Sequence, residues 1–228
     1  MKKNSEIKLD VSKQITNKVG QVEAKETGAE LRNEIRRVYN QVAALYNRDR
    51  ENLHGQRLLR FFIEALPKQA SVLDLGCGSG VPVAETLLRK GFLVTGLDFS
   101  ETQIQLARKN CPRGAFFLRD VATLQPAEFS VDAVVCLYTL FHLPRQRHAE
   151  FLKILASFLP IAGMALLSFG EKDFEGWHDF YGQRIWSSQF GPKTNRELLS
   201  AAGFVIVEEM MNHSAHEEHW LVLAKKER

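Results

Sequence analysis

The chain has 228 residues, 45% hydrophobic and 25% charged, which suits one well-filled globular domain with additions and excludes a disordered or fibrous chain. Its formal charge of +3 sits at the two ends: residues 1–26 hold six lysines against four acids, and residues 225–228 three bases against one acid. The body is therefore nearly neutral and offers no basic stripe to neutralise phosphates, so a nucleic-acid partner is not expected.

Residues 1–28 are polar, with single apolar residues Ile7, Val11, Ile15, Val19 and Val22 three or four apart, the pattern of a mobile tail or a loosely docked helix. Leu31, Ile35, Val38, Val42 and Leu45 then predict an amphipathic helix that also carries Tyr39 and Tyr46, and a second helix is predicted over 56–66, closed by Pro67. From Ser71 short apolar runs alternate with helical stretches, as in a parallel sheet wrapped by helices. Strands are predicted at 71–75, 92–97, 115–118, 131–138 and 163–169, with helices at 81–90, 102–109 and 145–158 between them. Beyond an aromatic-rich stretch, 170–192, a helix at 194–202 and strands at 204–209 and 219–224 complete the chain. Residues 29–228 thus read as a single domain.

Cys77, Cys111 and Cys136 are an odd number with no C-x-x-C pair, which argues against a disulfide framework or a zinc site and for a reducing, cytoplasmic setting. The lysines at the start precede no apolar signal core, and no apolar run approaches the length of a membrane span, so neither export nor a membrane partner is expected. His213, His216 and His219 are spaced by three beside Glu217 and Glu218, but on a predicted turn they read as a solvated run rather than metal ligands, and no metal is expected.

The segment "VLDLGCGSG", Val72 to Gly80, is the most informative. Glycines 76, 78 and 80 bare the backbone at a strand-to-helix junction, and Pro82 suits the start of the helix that follows. Dinucleotides and S-adenosylmethionine both use such a loop. Val81 stands where a dinucleotide site wants its third glycine, and no Lys-Ser/Thr follows to make a phosphate loop. Asp98 closes the second strand 22 residues after Gly76, near the spacing expected of an acid that holds a ribose diol, and a carboxylate suits a sulfonium cation better than phosphates.

These residues resemble the motifs of class I S-adenosylmethionine-dependent methyltransferases. "VLDLGCGSG" is similar to their first motif, "VTGLDFS" to the acidic second, "FFLRDVATL" to the third and "VDAVVCLYTLFHLP" to the fourth-strand motif, in family order. "WSSQF", "TNRELLSAAGF" and "HWLVLAKK" resemble small-molecule enzymes of the ubiquinone and menaquinone type. The resemblance implies a Rossmann-like, doubly wound, mostly parallel seven-stranded sheet of order 3-2-1-4-5-7-6, helices on both faces, an N-terminal helical cap, and an antiparallel last strand. It further implies that Asp74, Gly76, Cys77, Gly78 and Gly80 lie along the methionine part of S-adenosylmethionine. Asp98 would hold the ribose with Phe99 beside the adenine, Asp120 and Val121 would meet the adenine, and the Leu137 carbonyl would take the ammonium. Tyr39 and Tyr46 would close over the cofactor carboxylate.

Transfer from a sulfonium needs mainly alignment, and a base only where the acceptor must lose a proton. His142, after the fourth strand, is the candidate base. Trp177, His178, Tyr181 and Trp186 fall in 170–192, the expected substrate cap. "CLYTLF" lacks the Asn-Pro-Pro-Tyr pattern of DNA-base amino methylators, and no acidic pair suggests a magnesium site. The expected acceptor is a small molecule, methylated at O, N, S or C by a monomer or homodimer. A nicotinamide-dependent oxidoreductase and a non-catalytic cofactor-binding module are the rival readings.

Overall fold

A computed structural model of the protein describes residues 28–50, 56–213 and 218–228; the tail or helix read at 1–28 falls outside them except for Gly28. Helices α1 (Ala29–Arg50) and α2 (Gln56–Ala65) precede β1 (Ser71–Leu75), α3 (Val83–Arg89), β2 (Leu93–Asp98), α4 (Glu101–Asn110), β3 (Ala115–Leu118) and β4 (Ala133–Cys136). Then come α5 (His148–Ser157), β5 (Met164–Gly170), β6 (Phe174–Phe180), β7 (Gln183–Gln189), α6 (Pro192–Ala201), β8 (Phe204–His213) and β9 (Glu218–Lys226).

The main sheet has the order β3-β2-β1-β4-β5-β9-β8. Its first five strands pair in parallel, while β9 runs antiparallel to both β5 and β8. Counted along the seven strands of this sheet, the order is the expected one. The numbering shifts because β6 and β7 form a separate antiparallel hairpin inserted before α6, where the sequence had shown only an aromatic stretch.

Burial on both faces explains why the central strands read as unbroken apolar runs. In β4, Val134 joins Leu73 and Leu75 against Phe151, Leu152 and Leu155 of α5. Its neighbour Val135 faces the opposite layer, with Leu58 and Phe62 of α2, Leu87 of α3 and Ile104 of α4. Successive side chains of a strand point to opposite faces, so one short run serves two cores.

Helix α1 does not pack on the sheet. Leu31, Ile35, Val38 and Val42 form a third cluster with Phe180, Ile185 and Trp186 of the hairpin. Leu45, expected in that stripe, is instead 46% exposed, while the next residue, Tyr46, packs on Phe180 and Tyr181 of the hairpin. Asn40 accepts from the Ser100 hydroxyl (2.6 Å) and donates to Glu101 (2.8 Å), and Asn47 donates to Gln103 (3.2 Å), tying α1 to the start of α4. The Ser100 hydroxyl in turn accepts from the Gln103 amide, capping α4.

The solvated reading of the histidine run fails for His219. The last strand already begins at Glu218, which turns His219 inward, where it lies buried and stacked on Phe141 with ring centroids 5.2 Å apart. His216 lies outside the described residues, as does the His213 side chain.

Candidate active site

The carboxyl ends of β1, β2 and β4 meet where the strand order reverses direction, the usual ligand crevice of an open α/β sheet. After β1 the chain turns at Gly76, whose amide donates to the Leu97 carbonyl (2.8 Å), as does that of Cys77 (3.0 Å). Gly76 has φ +74°, and a Cβ there would meet the Thr139 hydroxyl at 1.9 Å. At Gly80, φ +78°, a Cβ would press on the Cys111 sulfur at 3.0 Å, so this glycine lets the loop approach α4.

Around the turn lies a pocket, open to solvent, with about 610 Å³ of empty space, walled by Asp98, Phe99, Gln103, Asp120, Val121 and Leu137 and bordered by α1 through Arg32, Tyr39 and Tyr46. A neighbouring cavity of about 450 Å³ shares Tyr46, Gly76, Gly78, Leu137 and Tyr138, and adds Asp74, Cys77 and Ser79. Gly80 lines neither, and its contribution is to the packing of the loop.

Each acid is held differently. Asp98 accepts from the Gly78 amide (2.9 Å) and the Ser100 amide (2.8 Å), which fixes its plane. Burial still pushes its carboxyl up to about 6, against the lowering effect of those amides. Asp74 is 3% exposed, and its Oδ2 has no hydrogen-bond partner. Burial, reinforced by the charge of Asp98, raises it to about 7. Asp120 caps a short 3-10 turn (Val121–Thr123) by accepting from the Ala122 amide (2.9 Å), and its other oxygen accepts from Arg32 Nε (2.8 Å). The carboxylate assigned to adenine by resemblance thus also anchors α1.

The Leu137 carbonyl accepts from the Thr139 hydroxyl (3.0 Å), which also reaches the Leu75 carbonyl (3.2 Å). His142 lines the larger cavity, its Nε2 lies 2.7 Å from the Tyr39 hydroxyl and its Nδ1 3.3 Å from the Trp186 carbonyl. A carbonyl only accepts, so the Trp186 contact puts the ring proton on Nδ1 and leaves Nε2 to accept from Tyr39. Cys77 is buried and its thiol is pushed well above its usual value by desolvation and by Asp74 and Asp98, the opposite of what a nucleophile needs.

Trp177, His178, Tyr181 and Trp186 line neither cavity. Trp186 is buried against α1, and Trp177 lies under the Arg184 guanidinium at 5.0 Å. His178 pairs with the Ser187 hydroxyl (2.9 Å), and Tyr181 packs edge-on to Tyr46 at 6.1 Å. Arg32, Gln103, Tyr138 and Thr139 are wall residues the sequence did not single out. The signal for Thr139 was present, two residues beyond Leu137 and facing the glycine turn, but only the fold brings it onto Gly76. Among the described residues, no group of three or more His, Cys, Asp or Glu is placed to hold a metal ion.

Residues 72–163 match the methyltransferase domain family. The segment from β1 to the loop before β5 is thus similar to a methyltransferase domain. A ubiquinone biosynthesis O-methyltransferase of Idiomarina loihiensis is 30% identical over 113 residues, 46% of this chain and 44% of that protein. A demethylmenaquinone methyltransferase of Tropheryma whipplei is 37% identical over 91 residues, 35% of each. The chain thus matches less than half the length of these curated relatives. The crystal structure of Burkholderia thailandensis 1,6-didemethyltoxoflavin-N1-methyltransferase superposes with a TM-score of 0.69 at 21% identity, covering 87% of this chain and 90% of that one. That likeness bears on the fold. Among the described residues, no helix is long and apolar enough to cross a membrane.

The methyltransferase cofactor fits the donor set of the site. An orphaned acid oxygen at Asp74 suits a positive group, Asp98 retains lone pairs for a diol, and Phe99 and Val121 offer flat apolar walls to a base.

Proposed function

We propose that the chain binds S-adenosylmethionine along the glycine loop and transfers its methyl group to an O, N, S or C atom of a small molecule by in-line displacement. The observation that carries this reading is the convergence of a side-chain-free turn, the amide-held Asp98 and the orphaned Asp74 on adjoining cavities. When bound, the cofactor supplies an already activated methyl group. The protein then has to align and dehydrate, and alignment alone is worth about 7–11 kcal/mol of barrier.

Asp98 accepts the ribose hydroxyls, its plane set by Gly78 and Ser100. Phe99 would lie beside the adenine, Asp120 and Val121 would meet its edge, the Leu137 carbonyl would take the ammonium of the methionine part, and Asp74 would face its sulfonium. Tyr39 and Tyr46 close the cavity from α1. Tyr39 and His142 form a proton-accepting pair on the wall: an acidic acceptor passes its proton to His142 Nε2, directly or through the Tyr39 hydroxyl. Trp177, Tyr181 and Trp186 of the hairpin hold α1 in place, and with His178, tied to Ser187, they form the cap that borders the acceptor's path, within a single domain spanning 29–228.

Thermal shift with S-adenosylhomocysteine against NAD tests the cofactor: stabilisation by NAD alone would overturn the proposal in favour of an oxidoreductase. Tyr39→Phe and His142→Ala test the base. Each should slow turnover at least tenfold while changing cofactor affinity less than threefold, within the usual contribution of general-base catalysis. Equal losses in both quantities would reduce the pair to a binding element.

A further inference from the structure

Within the reading just proposed, Asp74 is a buried carboxyl with an oxygen that no group among the described residues satisfies. Asp74 pairs in register with Gly96 of β2 and Val135 of β4, so its side chain is enclosed in the middle of the sheet and meets ligand space at the smaller cavity. Among the described residues, no Lys, Arg or His lines that cavity. The titratable groups facing Asp74 are Asp98 on β2, Cys77 in the glycine turn, Cys111 at the end of α4 and Cys136 on β4, with Tyr46 and Tyr138 on the cavity wall. In the larger cavity, Arg32 is paired to Asp120 and His142 to Tyr39. Nothing positive in this set is assigned to Asp74.

We propose that Asp74 is the residue by which the site distinguishes its cationic cofactor from the product, which carries one positive charge fewer: pairing with the cation ionises Asp74 and expels a proton. Methyl transfer removes that charge, and Asp74 regains a proton from solvent, which weakens the hold on the product. The surrounding groups leave the titration to the two acids. Burial raises all three thiols, Cys111 to about 11, so none ionises near neutrality. Asp98 keeps its charge more readily because two amides donate to it, whereas Asp74 depends on the ligand.

The test is calorimetric titration of the full chain in two buffers of different protonation enthalpy, with S-adenosylmethionine and S-adenosylhomocysteine. Working between pH 5.5 and 7.0 stays below the range, about 7.7–8.0, where an α-amino group titrates. With Asp74 near 7 and Asp98 near 6 in the free protein, affinity for S-adenosylhomocysteine should rise about fourfold across that window as Asp98 ionises, and that for S-adenosylmethionine roughly tenfold more, with a proton release larger by up to about one. Asp74→Asn should abolish the difference between the ligands. Equal proton release with both ligands, or a difference that survives in Asp74→Asn, would overturn the inference. Binding of S-adenosylmethionine without proton exchange would overturn it and leave the proposed function standing, whereas no binding of either ligand to the unaltered chain would remove both.

Discussion

Replacing Gly76 by Ala, alone and together with Thr139→Ala, probes the turn on which the proposed site rests. Gly76 sits at φ +74°, where a side chain costs about 1–2 kcal/mol. Its new Cβ would meet Thr139 at three atoms, with the hydroxyl at 1.9 Å and Cβ and Cγ2 at 3.0 Å. The hydroxyl must move away from the Leu75 and Leu137 carbonyls, which share its single proton, at about 0.5–1.5 kcal/mol. Gly76→Ala should therefore destabilise the chain by about 1.5–3.5 kcal/mol. Thr139→Ala removes the hydroxyl and Cγ2 and gives up only its own hydrogen bonds. In the double variant the collision with the hydroxyl is relieved but the backbone cost remains, so the two changes should couple by the hydrogen bond that both disrupt, about 0.5–1.5 kcal/mol in urea unfolding. Distant, independent sites add within about 0.3–0.5 kcal/mol. Additivity within that margin would refute the contact between Thr139 and the turn.

Asp98→Asn should weaken S-adenosylhomocysteine binding by about 1.5–3 kcal/mol, roughly 10–100-fold by calorimetry, since hydrogen bonds to a charged acceptor are lost; an unchanged dissociation constant would remove Asp98 from the ribose. Arg32→Ala should cost at most about 1 kcal/mol of global stability, because both partners of the Asp120 pair are about a quarter exposed, yet it should speed hydrogen exchange along α1 selectively. His148 is buried, donates from Nε2 to the Leu143 carbonyl (3.1 Å) and has its pKa lowered to about 4, mainly by burial. Its neutral form is favoured in the fold, so the stability it contributes is complete above about 6.5 and drains away as pH falls towards 4. His148→Gln should flatten that part of the stability profile, and an unchanged slope between pH 6.5 and 4 would count against this assignment.

Strand placement and the glycine turn were legible from residues 71–169, because each buried strand announces itself as an apolar run and the turn by its glycines, whereas the sheet order came from the resemblance of the motifs to a family. Local pattern also placed Asp98 at the tip of its strand, where strand geometry alone determines which way the chain exits. The hairpin β6–β7 was not legible. Its residues alternate without a clean polar face, since Trp177 and Trp186, paired across the hairpin, and Ile185, of the opposite parity, all pack with α1. Nor was the inward turn of His219, which depends on where β9 begins. The sequence by itself determined a mostly parallel sheet with a bare turn and two acids at its carboxyl edge, because those features depend on neighbours a few residues apart. Only the tertiary structure decided that α1 crosses the crevice to pair Arg32 with Asp120 and Tyr39 with His142, contacts 88 and 103 residues apart in the chain. Such distant pairs leave no periodic trace in a sequence, since they form only when packing brings separate elements together.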